Sequence, residues 1–249
     1  ALREIGAAVE QASERQRELS GPIRVACSHA FGRHFLLAEI AAFARRHPAV
    51  AIALTLNDRI DDLVQSSLDL TVRIGALAPS SMVARRLGRL ALALVAAPEL
   101  ALPARCDPAD LGALPAIGFR VPGSGVRYPW RLRFGDHELP IENTRVAVES
   151  DSVEALADLA RLGLGAALLP RYLVAPDLAS GRLAEIEVKG GRFVGPDVHL
   201  CFVSRRLMPA RVRALCDALG EALSARLAAD DDRAAPKRVG RRAIQARAR

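Results

Sequence analysis

The sequence has few cysteines and no long apolar run. Its four cysteines, Cys27, Cys106, Cys201 and Cys216, lie far apart and form no C-x-x-C pair. This spacing favours free, mainly buried thiols over a zinc site or a redox pair. The longest apolar segments, such as residues 90–97, fall short of the roughly 18 residues that cross a bilayer. We therefore expect no transmembrane helix and no membrane partner.

Motifs for covalent or metal catalysis are also missing. The chain has no G-x-S-x-G, no P-loop, no H-E-x-x-H and no G-x-G-x-x-G after a strand. His29 and His34 flank a strand-to-helix turn, but a metal site there would need ligands from elsewhere, such as Asp58, Asp61 or Asp62. We expect no enzyme activity, no cofactor and no metal.

Lysine is almost absent, so the formal net charge of +7 comes mainly from arginine. Residues 230–249 hold seven basic and three acidic residues, which leaves a net charge of +3 for residues 1–229. This last segment has no apolar periodicity. It is predicted to be a disordered basic tail, which its composition favours over a nucleic-acid-binding arm.

The first 20 residues lack the apolar core and cleavage site of a signal peptide, which predicts a cytoplasmic protein. Leu2, Ile5, Val9 and Ala12 instead recur at helical spacing and predict an amphipathic helix that ends near residue 21. Its narrow apolar stripe fits pairing with another chain and docking on the body equally well. Because the chain starts with Ala inside this pattern, we expect a preceding segment in the full protein.

Strand and helix patterns alternate along the rest of the chain. Strands are predicted at 22–28, 50–56, 68–74, 90–97, 116–120, 146–149, 166–169, 181–188 and 198–204, and helices at 35–46, 58–67, 151–162 and 209–227. A hairpin is predicted around Gly135-Asp136. The alternation predicts βαβ units with parallel sheets, arranged as two α/β lobes with the second inserted into the first.

Two predicted strand ends open directly onto helix N-termini, at Ser28-His29 and at Ser150-Asp151. Helix N-termini offer unpaired N–H groups and positive potential, which suit a carboxylate. Ligands of open parallel sheets bind outside the carboxyl ends of the strands, so two facing lobes predict a site in the cleft between them. Ser28 fits simple helix capping nearly as well, and capping is favoured for Asp151, with Glu154 three residues later.

The order of these segments resembles the effector-binding region of a LysR-type transcriptional regulator. The resemblance spans residues 1–227 and is carried by GPIRVACSHAFGRHFLLAEIAAFARRHPAVAIALTLND, DDLVQSSLDLTVRIG and VESDSVEALADLARLGLGAALLPRYLV followed by SGRL. Each piece is weak alone, and their order and spacing together are specific. The resemblance implies an α/β fold of two Rossmann-like subdomains with an interlobe cleft, like that of type 2 periplasmic binding proteins.

The resemblance also implies a domain organisation. Residues 1–20 correspond to the end of the linker helix, 21–92 plus 199–229 to regulatory subdomain I, 93–198 to regulatory subdomain II and 230–249 to the disordered tail. The family's winged helix-turn-helix is missing, so DNA would be bound only through an N-terminal domain outside this chain. The expected partners are a small-molecule effector and further copies of the chain, in a homodimer or homotetramer.

The family's cleft, carried over residue by residue, implies an effector site formed by residues of both lobes. These residues are Ser28, His29, Phe31, Asn57, Phe119, Arg120, Ser150 and Asp151. The implied function is sensing of a small, anionic effector by the regulatory domain of a transcription factor. A solute-binding protein of a transporter, which shares the fold, is the alternative, and an enzyme on the same scaffold is a third possibility that lacks a visible catalytic constellation.

Overall fold

The computed structural model describes residues 19–58, 68–77, 82–202 and 208–234. The strands are β1 (Gly21–Cys27), β2 (Val50–Leu56), β3 (Leu70–Ile74), β4 (Val83–Arg89), β5 (Leu92–Ala96), β6 (Arg105–Cys106), β7 (Ala116–Phe119), β8 (Trp130–Phe134), β9 (His137–Ile141), β10 (Val146–Ser150), β11 (Ala166–Pro170), β12 (Ala184–Glu185), β13 (Glu187–Val188), β14 (Arg192–Phe193) and β15 (Asp197–Phe202). The α-helices are α1 (His29–Phe31), α2 (Leu37–Arg46), α3 (Val153–Arg161), α4 (Arg171–Ser180) and α5 (Ala210–Ala234). A π-helical turn, Gly32–Leu36, joins α1 to α2 without a break.

The first lobe is built on a five-stranded sheet in the order β2-β1-β3-β15-β4. β2 and β3 run parallel to β1, and β15 is antiparallel to both β3 and β4. The carboxyl ends of β1, β2, β3 and β4 therefore share one edge of the sheet. Helix α5 packs on this sheet, and the absence of a side chain at Gly88 of β4 leaves room for Leu227 of α5.

The second lobe is built on another five-stranded sheet, in the order β10-β7-β11-β5-β12. β7 runs parallel to β10 and β11, whereas β5 is antiparallel to β11. Helices α3 and α4 cover one face of this sheet through an apolar cluster that includes Leu156 and Val174. The β8–β9 hairpin covers the other face and contributes the buried side chains of Trp130 and Leu132.

Two short crossovers join the lobes, one between Arg89 and Leu92 and the other between Phe193 and Asp197. The Leu90 amide donates to the carbonyl oxygen of Pro196 at 3.0 Å, so the crossovers touch. β4 reaches its crossover at the carboxyl edge of the first sheet, and β5 starts at the carboxyl edge of the second sheet. The two carboxyl edges therefore face each other across a cleft.

The structure differs from the sequence expectations in several elements. β4 and α4 were not predicted, and the segment 181–188 forms the short strands β12 and β13 in place of one strand. Helix α5 continues to Ala234, so the first residues of the expected disordered tail are helical. Three expected segments lie almost entirely outside the described residues. They are the helix expected at 58–67, of which only Asp58 is described, the helix expected at 1–20, and the rest of the tail.

The cysteine expectation is confirmed, since all four cysteines are free and buried. Among the described helices, none is long and apolar enough to cross a membrane.

Candidate functional site

Ser28 lies at the carboxyl end of β1, directly before α1. Its backbone is extended (φ −63°, ψ 150°), and its side chain makes no capping hydrogen bond to the helix. Ser28 therefore holds the N-cap position without the side-chain hydrogen bond that capping by its hydroxyl would supply. Burial raises the pKa of the neighbouring Cys27 thiol to about 12, although hydrogen bonds with Ser28 act in the opposite direction. The Ser28 hydroxyl therefore lies beside the Cys27 thiol, which stays protonated.

The amide of His29 is engaged by a carboxylate of the same chain. It donates to Oδ1 of Asp58 at 3.0 Å. Asp58 follows the predicted contact residue Asn57, whose own amide donates to the Cys27 carbonyl at 2.9 Å. The structure thus brings Ser28, His29 and Asn57 together at one edge, and the acid group of a ligand reaches the His29 amide only in exchange for Asp58.

The surroundings of Asp58 are acidic. Burial is the main cause that raises the pKa of this carboxyl, and the negative charges of Glu154 and Asp151 act in the same direction. The hydrogen bond from the His29 amide opposes this shift. Carboxylates of both lobes therefore meet at the place where the sequence predicts an anionic ligand.

The predicted residues of the second lobe meet at the carboxyl edge of its sheet. Phe119 ends β7 and Ser150 ends β10. The Arg120 amide donates to the Ser150 carbonyl at 2.8 Å, which holds the two strand ends side by side. Arg120 is exposed, whereas Phe119 and Ser150 are half-buried.

The expectation that Asp151 caps α3 is wrong. The N-cap is Ser152, whose Oγ accepts a hydrogen bond from the Ala155 amide at 3.2 Å. Asp151 stands one residue too early to hold that position. Ser152 Oγ also donates to Oε2 of Glu154 at 3.2 Å, so the cap fixes the direction of this carboxylate.

One polar contact joins the two carboxyl edges directly. Nδ1 of His29 lies 3.1 Å from Oε1 of Glu154, which connects the start of α1 with the first turn of α3. The two side chains are 46% and 33% exposed, so the contact lies at the solvent-accessible mouth of the cleft. Glu154 entered the sequence argument only as a partner of the α3 cap.

A second contact between the lobes is aromatic. Tyr172, in the first turn of α4, is buried in the apolar core of the first lobe. Its ring stacks on His34 at 4.6 Å and meets Phe35 edge to face at 5.0 Å. Burial raises the pKa of its hydroxyl, and burial together with Arg226 lowers the pKa of His34, which favours a neutral imidazole in the stack.

Phe31 belongs to this aromatic cluster and not to the cleft surface. It is 0% exposed and packs on Phe35 with ring centroids 4.6 Å apart. Sequence reasoning missed Tyr172, although the strand-end argument applied to β1 and β10 also applies to β11, which ends one residue before Arg171. Tyr172 therefore had a sequence signal that went unused.

Comparison with protein families gives one match that covers most of the chain. Residues 16–224 match the family described as LysR substrate binding domain. Among curated proteins, the chain is 31% identical over 225 residues to the HTH-type transcriptional regulator PtxR of Pseudomonas aeruginosa, covering 89% of this chain and 70% of that protein. It is 28% identical over 218 residues to the HTH-type transcriptional regulator DmlR of Escherichia coli, covering 85% of this chain and 68% of that protein.

Solved structures of similar fold include two regulators. The LysR-type transcriptional regulator CrgA from Neisseria meningitidis superposes with a TM-score of 0.68 at 25% identity, covering 89% of this chain and 75% of that one. The full-length virulence activator AphB of Vibrio cholerae superposes with a TM-score of 0.66 at 21% identity, covering 88% of this chain and 74% of that one.

Proposed function

Because the chain belongs to the LysR substrate-binding domain family, we propose that it senses a small effector bound in the cleft between its two lobes. Its relatives are transcriptional regulators, and the chain is the effector-binding domain of such a regulator. These relatives favour a regulator over a solute-binding protein of a transporter. They also favour ligand sensing over catalysis.

The observation that carries the proposal is the meeting of Ser28-His29 with the start of α3 across the cleft. Ser28 offers a hydroxyl that does not cap the helix, and His29 lies 3.1 Å from Glu154 of the other lobe. A ligand placed there would touch both lobes, which is what coupling of binding to lobe position requires. Asn57, Phe119, Arg120, Ser150 and Asp151 complete the proposed contact set, with Phe31 supporting it from the core.

The proposed effector is a small molecule with an acid group. Ser28 supplies a hydroxyl donor, and the exposed guanidinium of Arg120 supplies a bidentate partner when it turns inward. The His29 amide donates a hydrogen bond to the Asp58 carboxylate. The acid group of the ligand would replace this carboxylate as the acceptor. A screen must therefore include neutral and cationic compounds beside the carboxylates, because the cleft also presents carboxylates of its own.

The domain organisation follows from the same proposal. Residues 21–92 plus 199–229 form regulatory subdomain I, residues 93–198 form subdomain II, and the crossovers around Leu90 and Gly195 connect them. Residues 1–20 are assigned to a linker by the same proposal, and DNA binding is assigned to residues outside this chain. The regulator works in the cytoplasm as a homodimer or homotetramer.

A thermal-shift screen followed by calorimetric titration tests the proposal. A ligand at 100 times its Kd should stabilise the fold by about 2.7 kcal/mol. Ser28→Ala should weaken binding of the best compound about tenfold, since it removes a hydrogen bond to a charged group. Its melting temperature should stay close to the wild-type value, because the Ser28 hydroxyl does not cap α1.

Ser180→Ala is the matched control. This exposed serine ends α4, and its hydroxyl donates to the Asp177 carbonyl. It should bind the compound as the wild type does. Equal affinities of the wild type and Ser28→Ala for the compound would show that the effector does not contact Ser28.

A further inference from the structure

We propose that His29 and Glu154 form a clasp that holds the two lobes together in the absence of an effector. The contact joins Nδ1 of His29 in the first lobe to Oε1 of Glu154 in the second lobe over 3.1 Å. Its part in sensing rests on the proposed function, whereas its effect on lobe position does not. The argument depends on where the contact lies relative to the crossovers and on how both side chains are held.

The clasp lies on the opposite side of the cleft from the crossovers. The crossovers attach to β4 and β15, the last two strands of the first sheet, and His29 follows β1, which β3 separates from β15. At the usual spacing between strands, β1 and β15 are about 10 Å apart. In the second sheet, β5 receives the crossover, and β10, which precedes Glu154, is the edge strand on the far side. A hinge at the crossovers therefore parts His29 from Glu154 when the lobes open.

The backbone of His29 and the side chain of Glu154 are each held by a hydrogen bond within their own lobe. The amide of His29 donates to Asp58, which fixes the start of α1. The second carboxylate oxygen of Glu154 accepts a hydrogen bond from the Ser152 hydroxyl, and the same hydroxyl caps α3. Pre-ordering of the His29 backbone and of the Glu154 side chain lowers the entropy that is lost when the contact forms. The contact is therefore suited to bias the position of the lobes despite its partial exposure.

The clasp also lies on the route by which a ligand enters. His29 belongs to the proposed contact set, and its imidazole faces Glu154 across the mouth of the cleft. An effector that reaches Ser28 by that route must part the contact. Breaking the clasp then costs part of the binding free energy of the effector. Once the clasp is broken, the open arrangement of the lobes is favoured.

Distance measurement between spin labels in the two lobes tests the clasp without a ligand. Ala53→Cys on β2 and Leu162→Cys after α3 place labels at exposed positions of the first and second lobe. The four native cysteines are buried, so the introduced thiols label selectively. In this background, Glu154→Ala should shift the distance distribution to longer values, and the conservative Glu154→Gln should shift it in the same direction.

Two further arms make the result specific. Glu221→Gln removes an exposed carboxylate of α5 and should leave the distribution unchanged. The double variant His29→Ala/Glu154→Ala should open no further than Glu154→Ala, because each partner acts through the other.

Superimposable distributions for wild type and Glu154→Ala would overturn the clasp. So would a double variant that opens far beyond the single variants, since the partners would then act separately. Because no ligand is present, either result leaves the proposed effector site standing. A ligand screen without a hit would in turn leave the distance result unaffected.

Discussion

Asp177 shows how a single charged residue ties neighbouring elements together. Its side chain is 1% exposed and lies 2.7 Å from Arg161 of α3 and 2.9 Å from Arg182, just after α4. The hydrogen bond from Arg161 is the main cause that lowers the pKa of this carboxyl, although burial opposes it. The charged form is therefore the one that the folded state favours.

Asp177→Ala should destabilise the fold by about 3 kcal/mol, because it removes the buried partner of two arginines. The stabilisation should be present above the ordinary pKa of an aspartate and be lost as the pH falls toward the lowered pKa of the folded state. Urea unfolding at pH 7 and at pH 3 measures both effects. Asp107→Ala removes an exposed partner of Lys189 and should cost less than about 1 kcal/mol; equal losses for the two variants would contradict this account.

At the residue scale, the sequence predicted which residues lie at the carboxyl edges of the two sheets and missed the contacts between the lobes. Ser28 and Ser150 were found because a strand end followed by a helix start is a local pattern. Glu154 and Tyr172 contact the opposite lobe. The strand-end pattern also marks the start of α4 at Tyr172, whereas no local pattern identifies Glu154 as a contact across the cleft. Phe31 was assigned to the cleft, yet it lies in the core, because neighbours along a helix point in different directions.

The crossovers are the elements on which the relative position of the lobes depends. An added Cβ at Gly195 would lie 1.8 Å from the carbonyl oxygen of Leu90. This neighbour is backbone of the other crossover, so the clash cannot be relieved by a rotamer change. The close approach therefore requires glycine.

Gly195→Ala should destabilise the fold by about 3 kcal/mol or more, as expected for a clash in a packed interior. Gly125→Ala is the control: Gly125 has φ +66° with nothing within 4 Å of an added Cβ, so it should cost only about 1 kcal/mol of backbone strain. Chemical denaturation of both variants compares the two. A Gly195→Ala variant as stable as Gly125→Ala would contradict the close approach of the crossovers.

The prediction of secondary structure failed for segments whose composition hid the hydrophobic periodicity of a strand or a helix. β4 has the sequence VARRLGR, in which three arginines mask the alternation of a strand packed on one face only. α4 contains Pro176, a residue that is strongly disfavoured inside a helix, and is followed directly by Gly181, so no helix was predicted there. The α3 cap was placed one residue early, because Asp151 and Ser152 are both good N-cap residues. Strongly apolar or regularly periodic elements, such as β5 and α2, were predicted correctly.

At the scale of the whole molecule, the first property to test is self-association. The relatives are regulators of a family whose members act as oligomers. We propose that copies of the chain meet through α2 and α5, the helices that the sequence predicts at 35–46 and 209–227. Leu37 is an apolar side chain of α2 that is 43% exposed on this proposed surface. This residue is therefore a suitable point at which to disturb the contact.

Sedimentation velocity at micromolar concentration should show a dimer or a larger oligomer for the wild type. Leu37→Glu should shift the protein toward the monomer, because it places a charge in the apolar contact. Leu139→Glu, at a 52% exposed leucine of the β8–β9 hairpin, should sediment like the wild type. A wild-type monomer would count against the proposed assembly.

The central claim is that the effector binds between the lobes, and a crystal structure with the best compound from the thermal screen tests it most directly. The account predicts ligand density between the two carboxyl edges, with a polar atom within about 3 Å of the Ser28 hydroxyl or the His29 amide. Density only in another depression would contradict it, for example in the surface groove beside the start of α5 that Met208, Arg213 and Asp217 line.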